Sequence, residues 1–251
     1  MAEEQRKLAL VTGGGQNLGA EISRTLAAKG FDVAIVVRED LERARRVVEE
    51  LKQHGVTATA HAADVSDPEA VRRCVSDVLD QYGTIDVLVN AAAIRPRASL
   101  ADTTDEAWAT VMAVNLSGPF YMSRAVAPTM TERGDGVIIN ISGLVALQGG
   151  GGGAVPIAAS KAGLIGLTRA LADELGPKGV RANVVIPARM ETVRASEPPG
   201  PKVADEIQHT SLRRIATTDD VASVVAFLAG DEARFITGQS IHVNGGFYKG
   251  G

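Results

Sequence analysis

Apolar positions along the chain follow two rhythms that take turns from one end to the other. Short runs dominated by Val, Ile, Leu and Ala have the length and composition of strands: LALVT (8–12), DVAIVV (32–37), VTATAHA (56–62), IDVLVN (85–90), GVIINIS (136–142), VRANVVIP (180–187) and SIHVNGG (240–246). Between them lie stretches with apolar residues three and four apart, the spacing of one helix face, at 18–30, 41–55, 68–83, 105–130 and 157–176. Several of these end at a glycine, a common helix stop. Strands that alternate with helices pair in parallel, because each helical crossover returns the chain to the same end of the sheet. The pattern predicts an α/β fold, a doubly wound parallel sheet covered by helices on both faces, in three layers.

One interval breaks the rhythm. Residues 188–218 contain Pro198, Pro199, Gly200 and Pro201, which forbid a continuous helix. An insertion of this length in a compact chain is expected to form a lid-like segment or a loop. No repeat, charged tail or compositional break divides the rest, so residues 1–251 are expected to form one domain.

Composition changes the picture mainly by exclusion. A 251-residue chain that is 45% hydrophobic can bury a large core. It has no apolar run near the roughly 18 residues of a membrane span, and its start, MAEEQRKLALVTGGG, lacks a signal peptide's apolar stretch. A cytoplasmic protein without membrane contact is expected. Cys74 is the only cysteine, which rules out an internal disulfide, and the four histidines show no ligand spacing, so no metal is expected. A net charge of −4 offers no general attraction to nucleic acid.

Candidate chemistry gathers at the strand ends. LVTGGGQNLGAEI (10–22) sets glycines directly after the first strand and at the opening of a helix, where backbone N–H groups and the helix dipole can receive a pyrophosphate. Taken alone, the same glycines also suit a plain strand-to-helix turn. With the stretches that follow, the chain resembles the short-chain dehydrogenase/reductase family, whose turn reads TGxxxGxG. Here it reads Thr12, Gly13, Gly14, Gly15, Gln16, Asn17, Leu18, Gly19, with Asn17 in place of the middle glycine. Asparagine tolerates left-handed backbone angles, so the turn is expected to survive. Asp64-Val65 resembles the family's adenine-side pair, Asn90 opens its NNAG motif as NAAA, Asn115 lies in its VNLxGxF pattern, and Pro187 and Thr192 fall in its segment after the sixth strand.

The resemblance implies a Rossmann-type fold and a nicotinamide dinucleotide held by Gly13, Gln16, Asn17, Leu18, Gly19, Asp64, Val65, Asn90, Lys161, Pro187 and Thr192. It also implies a homo-oligomer, a homotetramer that pairs its long helices across subunits. Where an NAD-preferring enzyme carries an acidic residue for the ribose 2′-hydroxyl, this chain has Val37, followed by Arg38. Arg38 can pair with a 2′-phosphate, which favours NADP(H) over NAD(H); alternatively it belongs with Arg43, Arg45 and Arg46 to a solvated helix start.

In the resembled family a tyrosine phenol exchanges a proton with the substrate oxygen, and a lysine four residues later lowers the phenol's pKa. The lysine here is Lys161 and the tyrosine position is Ile157, which has no proton to give. Register error cannot supply the phenol, because the tyrosines are Tyr82, Tyr121 and Tyr248. The serine position is Gly143; Ser142 is adjacent but would need a bulge to turn to the same side. Asn115, Lys161 and Ser142 are therefore the candidate catalytic residues. Beside them, Gly149–Gly153 is either a segment that orders on binding or a slack surface loop. Arg95, Arg97, Arg189, Arg194, Arg213 and Arg214 either receive an anionic small-molecule substrate or are solvated loop charges. Three functions remain open: an oxidoreductase on an unknown carbonyl or alcohol with a non-standard proton route, a nucleotide-binding homologue without turnover, and a non-redox, lyase-type reaction in the same cavity.

Overall fold

A computed structural model describes residues 6–190 and 201–250. Seven parallel strands form one sheet in the order β3-β2-β1-β4-β5-β6-β7. In chain order the elements are β1 (Leu8–Thr12), α1 (Asn17–Ala28), β2 (Asp32–Val37), α2 (Leu41–Lys52), β3 (Ala58–Ala62), α3 (Pro68–Tyr82) and β4 (Val87–Asn90). There follow α4 (Asp105–Met112), a π-helical turn (Ala113–Ser117), α5 (Gly118–Arg133), β5 (Gly136–Ile141), α6 (Val145–Gln148), α7 (Val155–Leu175), β6 (Val180–Pro187), α8 (Pro201–His209), α9 (Thr218–Ala229) and β7 (Ser240–Val243).

The period-2 geometry of strands explains the three layers. Along β1, Ala9 and Val11 enter one apolar cluster with Ile22 and Leu26 of α1, Val47 and Leu51 of α2, and Val225 and Leu228 of α9. Leu8 and Leu10 point the other way, into a cluster with Val71 and Val78 of α3, Met122 and Met130 of α5, and Leu175 of α7. Every residue of β1 is buried, which is why the strand reads as a continuous apolar run rather than an alternation. After β3 the chain crosses back to add β4 on the other side of β1, so the strand ends diverge between β1 and β4 and open a crevice there.

Three elements differ from the sequence pattern. The long helical stretch at 105–130 is not one helix: five π-helical residues interrupt it around Asn115, just before Pro119, whose missing N–H cannot serve a continuous α-helical ladder. Helix α9 was not among the helices the apolar spacing predicted. Its signal was its start, where Thr217 and Asp220 form a capping box and Arg214 pairs with Asp220. Within the irregular interval 188–218, Pro201 begins α8, while residues 191–200, with Thr192 and Arg194, lie outside the described residues.

Candidate functional site

The crevice between β1 and β4 contains a cavity of about 290 Å³ lined by residues that follow β1, β2, β3 and β4. Its floor depends on close backbone approach. A Cβ on Gly13, at φ +69°, would lie 3.0 Å from Ala92, and one on Gly19 would lie 2.2 Å from the Gly13 carbonyl oxygen. The Thr12 hydroxyl accepts from the N–H groups of Ala91 and Ala92, at 3.1 and 3.2 Å, and so ties the glycine turn to the end of β4. Asn17 takes φ +47°, the left-handed angle expected of the residue replacing a glycine. The α1 N-terminus carries no acidic residue in its first turn and no side-chain cap, leaving its N–H groups for a ligand's negative charge.

Val37, Arg38, Glu39 and Arg43 form the wall past β2. Arg38 pairs with Glu39 at 2.8 Å and both are largely exposed. Arg43, from the first turn of α2, donates to the Gln16 side chain at 2.9 Å. The apolar spacing of α2 hid Arg43 among its solvent-facing charges; its nearness to the glycine turn is a tertiary fact. Across the cavity, Asp64 accepts from the Ser66 N–H and hydroxyl at 2.8 and 2.6 Å, which holds the loop after β3 in place beside Val65.

Beyond β4 the arrangement changes character. Asn115 is fully buried; its carbonyl accepts from the Ile94 N–H at 2.9 Å, and its amide donates to the Ile94 carbonyl and the Ser160 hydroxyl. Lys161 is 3% exposed and donates to the Ile141 carbonyl at 2.6 Å. The Ser142 hydroxyl returns the contact, donating to the Lys161 carbonyl at 2.8 Å, so β5 and α7 are cross-braced through these two residues. Burial, reinforced by the Arg95 charge, pushes the Lys161 ammonium down to about 7. One turn earlier, Ile157 is buried with Val111 and Ala154 against Ile94 and Val145. At Gly143 a Cβ would find nothing closer than 4.0 Å, and the backbone angle is not left-handed.

The cavity thus gathers Gly13, Gln16, Arg38, Asp64 and Val65 from the predicted set, together with Arg43 and Ala92–Ile94. Leu18 packs into the core and Gly19 under the turn. Asn90 joins β4 to β5 through Asn140 at 2.9 Å, and its other side-chain atom, the carbonyl oxygen, is buried without a partner. Pro187 accepts the Leu144 N–H through its carbonyl at the end of β6. Tyr248 stacks on His242 with ring centroids 5.6 Å apart and packs beside Leu144 and Ile186.

Comparison with known proteins agrees over nearly the whole chain. The family model described as Enoyl-(Acyl carrier protein) reductase matches residues 13–248. The 3-oxoacyl-(acyl-carrier-protein) reductase FabG of Staphylococcus epidermidis is 37% identical over 242 residues, covering 96% of this chain and 99% of that protein. Among solved structures, a blue fluorescent protein from a metagenomic library, in complex with NADPH, has a TM-score of 0.90 at 38% identity, covering 97% of this chain and 98% of the other. A dehydrogenase/reductase from Sinorhizobium meliloti has a TM-score of 0.91 at 35% identity, covering 97% and 95% of the two chains. With matches of this extent in sequence and in fold, the chain belongs to the short-chain dehydrogenase/reductase family.

Proposed function

We propose that the chain is an NADPH-dependent reductase of a carbonyl compound whose proton comes from the Lys161 ammonium rather than from a phenol. NADPH, when bound, supplies the hydride. The glycine turn, the uncapped α1 N-terminus and the tight approach of Gly13 to Ala92 fit a pyrophosphate, and Arg38 with Arg43 fits a 2′-phosphate where Val37 offers no acidic contact. The observation that carries the proton assignment is the state of Lys161: a buried cation that donates to a neutral carbonyl, that of Ile141, with an acidity matched to neutral pH. Ser142 and Asn115 act as positioning residues in this reading, the first bracing Lys161 and the second fixing the Ile94 backbone. Thr192 is assigned to the cofactor on resemblance alone.

A second reading, a nucleotide-binding homologue without turnover, is favoured by the apolar packing around Ile157. Calorimetry with NADPH and NADH, followed by NADPH oxidation against a panel of ketones, aldehydes and alcohols, separates the two. Binding with slow reduction supports the first reading, and binding with no reduction of any carbonyl supports the second. We also propose a homo-oligomer, expected to be a tetramer. Phe120, exposed at 41%, stacks under Arg124 on α5, and α7 exposes the small residues Ala162, Gly166 and Ala170. Among the described residues no helix is long and apolar enough to cross a membrane, and the site of action is proposed to be the cytoplasm.

A further inference from the structure

The loop between α6 and α7 is five consecutive glycines, and all five lie in the left-handed region, with φ of 73°, 67°, 49°, 55° and 78° from Gly149 to Gly153. A run of this kind is open only to glycine, and ordering it is entropically unfavourable. What holds it is a latch from the segment after β4. The Arg97 guanidinium donates through one nitrogen to the carbonyls of Gly151 and Gly152, both at 3.1 Å, and the Ala98 N–H donates to the Gly153 carbonyl at 3.3 Å. Gly153 approaches so closely that a Cβ would lie 2.4 Å from the Ala98 carbonyl oxygen. The latch sits beside the chemistry: Ile94, three residues before Arg97, lines the nucleotide cavity and also packs against Ile157 and Ala154.

Three arginines around the cleft are matched to acids, Arg38 to Glu39, Arg189 to Glu206 and Arg214 to Asp220, whereas Arg43 and Arg213 donate to the neutral Gln16 side chain and Gln208 carbonyl. Among the described residues Arg97 contacts only neutral carbonyl oxygens. A guanidinium bonds an oxyanion about twice as strongly as a neutral acceptor, so an anion that takes the Nη1 donors of Arg97 displaces the two glycine carbonyls they hold. We propose that Arg97 is the receptor for an anionic group on the substrate, a carboxylate or a phosphate ester, and that its engagement releases the glycine loop from the mouth of the site. This rests on reading the cleft as the cofactor and substrate site. Release restores the freedom of five glycines, so the loop opens for a ligand that brings the anion and stays latched for one that does not.

The test is hydrogen exchange on the full chain, with and without NADPH, followed by mass spectrometry of the peptides containing Ala98 and Gly149–Gly153. Sodium malonate and inorganic phosphate are each compared with sodium chloride at equal ionic strength. The expected result is exchange at least about fivefold faster with one of the two anions, malonate identifying a carboxylate and phosphate an ester. Arg97→Met exchanges fast without any anion and responds to none, while Arg97→Lys responds weakly. Because Arg97 is exposed, neither change threatens folding, and the wild-type comparison of salts decides by itself. An unchanged or slower loop in wild type, or an anion response that survives Arg97→Met, overturns the proposal. A parallel fluorescence titration with NADPH keeps the two readings apart: failure to bind strikes the reductase assignment, whereas normal binding with a silent loop strikes only Arg97.

Discussion

The nucleotide half of the cleft and its catalytic half use glycine in opposite ways. At Gly19 a Cβ would lie 2.2 Å from a backbone carbonyl, and at Gly13 3.0 Å from Ala92, so these positions are dictated by backbone meeting backbone. At Gly143 the nearest atoms to a Cβ are 4.0 Å away and φ is ordinary, so nothing in the local geometry demands a glycine. Ile157 makes the same point from the other side: it fills its place with apolar contacts in a helix of regular form. Gly13 and Gly19 are constrained by the backbone around them, whereas at Gly143 and Ile157 the chain departs from the family pattern in side chains alone.

The comparison breaks most easily at the turn. Gly19→Ala forces the α1 start away from Gly13 and is expected to weaken NADPH binding by more than about 100-fold, read by calorimetry. Next comes pH. If the Lys161 ammonium is the donor, its protonated fraction is nearly full below about pH 6, about half at pH 7 and approaches a tenfold fall per unit at higher pH, so kcat should drop by about 50-fold between pH 7 and 9. A rate that stays level to pH 9 removes Lys161 from the role. Arg38→Ala is a smaller step, expected to narrow the preference for NADPH over NADH by about tenfold, the contribution of one charged hydrogen bond. The smallest effect is at Asn17: Asn17→Gly should leave the melting transition almost unmoved, while Asn17→Ala, at φ +47°, should cost about 1 kcal/mol.

Much of this was legible in the residues. The strand runs and helical spacings indicated the parallel sheet because the central strands β1, β4 and β5 are buried on both faces, and the turn LVTGGGQNLG marked the cofactor end because its glycines follow a strand and open a helix. Asn17 stands where the family pattern has a glycine, and it takes the left-handed φ of +47° that asparagine tolerates. The π-helical turn at Asn115 was hidden because a five-residue change in winding leaves the apolar spacing of 105–130 nearly intact. Helix α9 escaped because VASVVAFLA is apolar on almost every side, so only its capping box distinguished it from a strand. Arg43, the cross-brace of Ser142 with Lys161, and the Arg97 latch join residues 27, 19 and 54 positions apart, pairings that only the folded chain creates.

The contrast between the two halves has one direct measurement: NADPH affinity and ketone turnover in wild type and in the double variant Ile157→Tyr, Gly143→Ser. Room at Gly143 removes the steric objection to serine, while the phenol must displace part of the cluster formed by Val111, Ala154 and Val145, an overpacking that costs about 1–3 kcal/mol of stability. The account predicts that NADPH binds both proteins within about a factor of two, and that turnover of at least one simple ketone rises by about 100-fold, the low end of general-acid catalysis. Wild type that reduces ketones as fast as the double variant, or that does not bind NADPH, would contradict it.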